Sequence, residues 1–130
     1  MNLDTAYDDV KDFHARFGHP VRDQPTLLTA DRAAARAAWM QEEVAEFLVA
    51  ETVPDQADAM IDLIYFALGT LVEMGVRPEK LFDVVHAANM TKLWPDGQPR
   101  FRHDGKTIKP PGWVDPTEAL RDEIERQSRK

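Results

Sequence analysis

Residues 39–66 read WMQEEVAEFLVAETVPDQADAMIDLIYF, and this stretch decides the fold. Upstream of it, from about Ala30 to Ala50, no Gly or Pro interrupts an alanine-rich helical pattern, and Thr29 is positioned as its N-cap. Downstream, Pro54 suits the first turn of another helix, with Thr52 as the cap before it and Gly75 as the stop after Met74. Only about Glu51 to Val53 separates the two, and a connection that short makes the helices antiparallel neighbours.

Both helices carry acids where a core-facing pattern prefers none. At about 100° per residue, Glu42 and Glu46 lie roughly 40° apart on one face, with Glu43 on the flank. Asp58 and Asp62 repeat the one-turn spacing on the next helix, with Asp55 a turn earlier. Asp62 stands within Ala-Met-Ile-Asp-Leu-Ile-Tyr-Phe, where a lone carboxylate is costly unless it is paired or bound to metal. Folding the helices back on one another brings Glu46 level with Asp58, and Glu42 and Glu43 level with Asp62. Such a cluster repels itself without a cation. With Mg²⁺, which prefers hard oxygen ligands and retains several waters, it becomes a seat for a phosphate chain. Two plainer readings stand beside this one: a solvated stripe of Glu42, Glu43 and Glu46, and a buried pair between Asp62 and an arginine such as Arg36.

The remaining chain reads as helix on both sides. Leu3, Tyr7, Val10, Phe13 and Phe17 mark one apolar face of a helix that Gly18 and Pro20 end, and His19 to Pro25 connects onward. The stretch AMIDLIYFALGTLVEM is apolar on most faces and marks the central helix, with close packing as the reason for Gly69. Pro78 opens a fourth helix to about Met90, with Leu81, Val84, Val85 and Ala88 on its buried side. From Thr91 to Trp113, Asp-Gly turns, prolines and basic residues predict a loop with a short hairpin at Asp104-Gly105. Asp115-Pro116 caps a last polar helix. The expected fold class is all-α: a four-to-five-helix bundle in one domain over 1–130, with its helical core at about 3–91, the loop at 92–113 and a C-terminal helix at 115–128.

The totals narrow the function. A length of 130 residues suits one domain, and 43% hydrophobic with 30% charged residues is an ordinary globular balance. With no cysteine there is no disulfide scaffold, thiolate zinc site or cysteine nucleophile. A net charge of −7 argues against a nucleic-acid binder, since phosphate backbones need a basic surface. The longest apolar run, near Leu63 to Val72, is too short to cross a membrane, and the N-terminus lacks a signal-peptide layout. The expectation is a cytoplasmic protein with no nucleic-acid or membrane partner.

These residues resemble the all-α nucleoside triphosphate pyrophosphohydrolases, a group that includes MazG-like proteins, dimeric dUTPases and phosphoribosyl-ATP pyrophosphohydrolases. The pattern there is Glu-x-x-Glu on one helix and Glu-x-x-Asp on the next. Glu43-Val44-Ala45-Glu46 matches the first half, and Asp62 followed by Leu63-Ile64-Tyr65 matches the end of the second. The Glu expected three positions before Asp62 is here Ala59, with Asp58 beside it as the substitute ligand and Asp55 ranked below. Phe13-His14-x-x-Phe17-Gly18-His19-Pro20, Val85-His86-x-x-Asn89-Met90-x-Lys92-Leu93, Asp104-Gly105-Lys106 and Lys109-Pro110-Pro111-x-Trp113 resemble flanking parts of MazG-like members.

The resemblance implies Mg²⁺, with Mn²⁺ able to substitute, held by Glu42, Glu43, Glu46, Asp58 and Asp62. It implies water attack at the α-phosphorus with release of pyrophosphate, and Glu43 or Glu42 as the base. Asn89 and Lys92, one turn apart, offer an amide and an ammonium to sugar or phosphate, while Lys106 and Lys109 offer charge to the outer phosphates. His14 and Phe17 are candidates for the base pocket; the plainer readings are a surface histidine and an ordinary helix-packing aromatic, the latter ranked first for Phe17. Analogy with dimeric dUTPases points to dUTP or another pyrimidine deoxynucleotide. The alternatives are the phosphoribosyl-ATP reaction and a non-catalytic helical interaction module. A homodimer or homotetramer is expected, because the third helix is apolar around most of its circumference.

Overall fold

The computed structural model describes residues 1–129. It contains five α-helices: α1 (Leu3–Phe17), α2 (Ala30–Val49), α3 (Val53–Met74), α4 (Glu79–Met90) and α5 (Thr117–Ser128). The chain divides into two compact units, Met1–Pro78 and Glu79–Lys130.

In the first unit α3 is the central element and packs against both α1 and α2. Local chemistry sets its ends. The Thr52 hydroxyl accepts from Asp55 N–H, and Pro54 occupies the first turn, where no donor is needed. Gly75 ends the helix in the left-handed region at φ 70°, and a Cβ there would stand 2.5 Å from the Gln24 carbonyl oxygen. Glycine is therefore required by conformation and by space. The segment between α1 and α2 is tied to this end of α3, since Arg22 N–H donates to Val72 O and Thr26 N–H to Met74 O.

On α1, the Asn2 side chain caps by accepting from Thr5 N–H at 2.9 Å, and Gly18 closes the helix at φ 76°. Tyr7 and Val10 of its apolar face join Leu68 and Val72 of α3 in the core, whereas Phe17 is exposed and stacks on Phe13. The core is small, and beside it four polar or charged side chains of this unit are also buried: His14, Arg36, Glu43 and Glu73. Burial of that kind is rare without partners.

In the second unit α4 packs against α5. Leu81, Val84 and Ala88 are half-buried, but Val85, expected on the inner side, is exposed. The intervening loop folds over an Asp104-Gly105 turn, with an antiparallel bridge between Phe101 and Thr107 and Arg102 N–H donating to Lys106 O at 2.8 Å. Pro116 is the N-cap position of α5 and has no polar side chain to cap with; Asp115 just before it accepts from Thr117 N–H at 2.8 Å in a tight turn. Among the described residues no single helix is long and apolar enough to cross a membrane.

Candidate active site

Facing side chains of α2 and α3 form rungs about one helical turn apart. At one end Arg32 clasps Glu73 in two bonds, Nε–Oε1 at 3.1 Å and Nη2–Oε2 at 2.8 Å. Next, Arg36 donates from Nε to Thr70 Oγ1 at 3.1 Å and from Nη2 to Phe66 O at 2.8 Å, while Nη1 reaches Glu73. Then the rings of Trp39 and Phe66 lie 6.1 Å apart. One turn further the acids begin, with Glu43 on α2 and Asp62 on α3.

Glu43 is buried, and its Oε2 has no hydrogen-bond partner. Burial first, then the charges of Glu46, Asp62 and Asp58, push its carboxyl above the ordinary range. Asp62, half-buried rather than fully enclosed, is pushed up by burial and by Asp58 and Glu46. Its apolar neighbours in the sequence are partly outward-facing: Ile61, Ile64 and Tyr65 are exposed. Arg36 is therefore no partner of Asp62; it is held by Glu73. Glu46 and Asp58 are exposed and, with Glu51 and Asp55, line a cavity of about 440 Å³ at the α2–α3 corner. Glu42 is exposed, and Ala59, standing where Glu was expected, is buried.

Four carboxylates thus act electrostatically on one another. An orphaned buried oxygen on Glu43 and an all-oxygen donor set fit a hard divalent cation. Among the described residues no three acids already stand as a metal cage, so holding the ion requires side-chain movement.

Beside this cluster a cavity of about 310 Å³ opens among Phe13, His14, His19, Trp39, Tyr65 and Phe66. Arg36 completes its lining and lays its guanidinium over Trp39 at 5.1 Å and Phe66 at 5.7 Å. His14, on α1, is buried with Nδ1 2.9 Å from Pro20 O, and burial lowers its pKa. A Cβ on Gly69 would come 2.3 Å from Arg36 Nη2 and 2.8 Å from His14 Nε2. Close packing is indeed the reason for this glycine, against polar side chains. Phe17 does not line the cavity.

In the second unit, the ammonium groups of Lys92 and Lys109 sit 5.2 and 5.3 Å from the centre of the Trp113 ring. The indole N–H is bonded to Ala88 O and Thr91 Oγ1, which fixes the ring near the two charges. Asn89 is exposed at the end of α4, and Lys106 follows the Asp104-Gly105 turn with its side chain exposed.

Sequence reasoning gave no site role to Trp39, Phe66 or Glu73, and met Tyr65 only within the Leu63-Ile64-Tyr65 match. A signal existed for two of them: Trp39 precedes Glu43 by one turn and Phe66 follows Asp62 by one turn. Glu73, within LVEM, had the same apolar frame as Asp62.

A family model described as phosphoribosyl-ATP pyrophosphohydrolase matches residues 10–89. A crystal structure of a candidate NTP pyrophosphohydrolase from Exiguobacterium sp. 255-15 is 35% identical, with 95% of this chain and 96% of that chain covered and a TM-score of 0.52. Comparison with the curated proteins gives no match.

Proposed function

Because this chain belongs to the phosphoribosyl-ATP pyrophosphohydrolase family of all-α NTP pyrophosphohydrolases, we propose that it hydrolyses a nucleoside triphosphate, dUTP or a related pyrimidine nucleotide, to the monophosphate and pyrophosphate with Mg²⁺. That it is a pyrophosphohydrolase follows from the family. The substrate and metal are the proposal, as are its action in the cytoplasm as nucleotide-pool housekeeping, its working as one catalytic domain over 1–130, and its assembly as a homodimer or homotetramer. The carrying observation is Glu43: a buried carboxylate with an unpartnered oxygen, raised in pKa, under the charges of Glu46, Asp58 and Asp62.

Glu43, Glu46, Asp58 and Asp62, with Glu42 alongside, would hold the ion. When bound, Mg²⁺ neutralises phosphate oxygens and lowers the pKa of water. Glu43, or Glu42 beside it, accepts a proton from the attacking water, a role open to a carboxylate placed beside the ion. The water oxygen bonds to the α-phosphorus, the α–β anhydride bond breaks, and pyrophosphate leaves with the electron pair. Asn89, Lys92, Lys106 and Lys109 are assigned sugar and phosphate contacts, and His14 the base.

The description of the matching family favours a second reading, in which the triphosphate belongs to phosphoribosyl-ATP. A pyrophosphate-release screen with Mg²⁺ and Mn²⁺ over common ribo- and deoxynucleoside triphosphates and phosphoribosyl-ATP separates the two. Turnover of pyrimidine deoxynucleotides alone supports the first reading, turnover of phosphoribosyl-ATP alone supports the second, and no release from any substrate overturns both.

A further inference from the structure

The loop between α4 and α5 carries two arginines and three lysines, and it uses the two residue types differently. Arg100 is paired with Asp96, Nη2–Oδ2 at 3.2 Å, and Arg102 with Asp104, Nε–Oδ1 at 3.1 Å. Each of those acids also accepts a backbone N–H within its own Asp-Gly turn, from Gln98 and from Lys106, so both arginine charges are spent on shaping the loop. Lys92 and Lys109 make no ion pair among the described residues. Their ammonium groups lie instead 5.2 and 5.3 Å from the centre of the Trp113 ring, within cation–π range. Asp115 senses Lys109 only as the last of several influences, and its Oδ1 is taken by Thr117.

A ring attracts a cation without neutralising it, whereas a carboxylate cancels its charge. One indole thus gathers two charges that are far apart in the sequence and leaves both available. Its own place is set by the end of α4. The Nε1–H donates to Ala88 O at 3.0 Å and to Thr91 Oγ1 at 2.9 Å, and the Thr91 hydroxyl donates to Ala88 O. The Trp113 backbone N–H donates to Pro110 O at 3.1 Å, and Gly112 at φ 78° makes the turn that precedes the ring. Ala88 belongs to the last turn of α4, the end of the helix dipole that favours cations. Two like charges gathered on one ring repel, and an anion that meets both relieves the repulsion. An anion with charge on two adjacent centres matches two cations better than one with a single centre.

Resting on the triphosphate reading above, we propose that Trp113 is a positioning residue: its ring holds the ammonium groups of Lys92 and Lys109 as one site for a diphosphate-type anion, the group that leaves as pyrophosphate. The two lysines touch the anion, and Trp113 acts through them. Arg100, Arg102 and Lys106 lie outside the site. Without the ring both lysines regain their rotamer freedom, and the anion binds about tenfold more weakly.

The experiment titrates the full chain with inorganic pyrophosphate and with orthophosphate, in the absence of divalent metal so that the carboxylates have no cation to offer an anion. It reads Kd together with the NMR signals of the lysine ε-CH₂ groups. Pyrophosphate is expected to bind more tightly than orthophosphate and to move the Lys92 and Lys109 signals together, leaving that of Lys106 in place. Trp113→Leu should weaken pyrophosphate by the stated factor, and Trp113→Phe, which restores a ring without the N–H, should recover part of the loss. Lys109→Gln should weaken binding in the otherwise unaltered chain and add little on top of Trp113→Leu, a coupling that a general loss of fold does not produce. The lysine signals are read in the unaltered protein and need no variant to fold. Lysine signals that stay still or move singly, equal binding of the two anions, no binding up to millimolar concentration, or a Trp113→Leu chain with the original Kd each overturn the inference. If both lysines grip pyrophosphate while no triphosphate is hydrolysed, the reaction assignment falls and this site stands; hydrolysis with silent lysines gives the reverse.

Discussion

Arg36 of α2 and Glu73 of α3 meet with Nη1–Oε2 at 3.1 Å, their side chains 4% and 0% exposed, and Arg32 adds a two-pronged grip on the same carboxylate. Charges so deeply buried are stable only together. Glu73→Gln keeps the volume and removes the countercharge, leaving Arg36 desolvated. Urea unfolding should show a loss of about 3–5 kcal/mol. A loss under about 1 kcal/mol, the range of an exposed pair, would mean that water reaches the network.

Gly69→Ala sets two effects against each other. Helix propensity favours alanine by about 1 kcal/mol. Against it, the new methyl would sit 2.3 Å from Arg36 Nη2, and Arg36 cannot step aside because Thr70, Phe66 O and Glu73 hold it. Overpacking of this kind costs about 1–3 kcal/mol, so the variant should melt lower, and a higher melting temperature would show the Arg36 side chain to be movable.

Glu46→Gln and Asp62→Asn remove one charge and almost no volume. Both should abolish pyrophosphate release in saturating Mg²⁺ with helix content unchanged by circular dichroism. In EDTA, Asp62→Asn should melt no lower than the unaltered protein, because it relieves repulsion from Asp58 and Glu46. Clear destabilisation in EDTA would make Asp62 a structural partner, and wild-type turnover of Glu46→Gln would return that residue to a solvated stripe.

The same repulsion gives a pH dependence whose sign can be worked out. Glu43 and Asp62 have folded-state pKa values raised above their ordinary 4.5 and 3.8. Within the window from those values up to the raised ones, the folded chain binds more protons than the unfolded chain. Stability therefore falls as pH rises through that window. Acids held down by arginine, such as Asp8 beside Arg77 and Glu123 at about 2 beside Arg126, act at lower pH and in the opposite sense. Melting in EDTA from pH 4 upward should reveal the decline, and Mg²⁺ should remove it. A decline equally steep with and without Mg²⁺ would separate the cluster from metal binding.

Assembly is testable by light scattering. Ile61, Ile64 and Tyr65 of α3 are exposed along one face, with Ile61 at 61%. Neighbouring apolar residues on one helix face favour burial against another surface. A dimer or larger species is expected at micromolar concentration. A mass near the 14.8 kDa monomer, with full activity, would exclude a shared core.

Helix identity and position were legible because they rest on local signals. Asn2 and Thr52 cap their own next turns, Gly18 and Gly75 relieve a left-handed backbone, and Pro54 needs no donor where it stands. The acids were legible for a related reason: their spacing along two helices joined by three residues leaves little freedom in how those helices meet. By itself, then, the sequence determined the run of helices, the antiparallel pair, and which carboxylates come near enough to act on one another's charge.

Tertiary structure decided the partners. Arg36 and Glu73 are separated by most of two helices, and a small error in helical phase per turn, summed over that length, turns a side chain to another face. Asp62 and Glu73 look alike in sequence, each an acid in an apolar run; only packing against α2 gives one a pair of arginines and the other a set of repelling carboxylates. His14 reaches the cavity from α1, where the packing of three helices and the carbonyl of Pro20 together set which ring nitrogen carries the proton. Local spacing sets what a residue offers, and long-range packing sets what it meets, because burial and pairing depend on neighbours brought in by other helices.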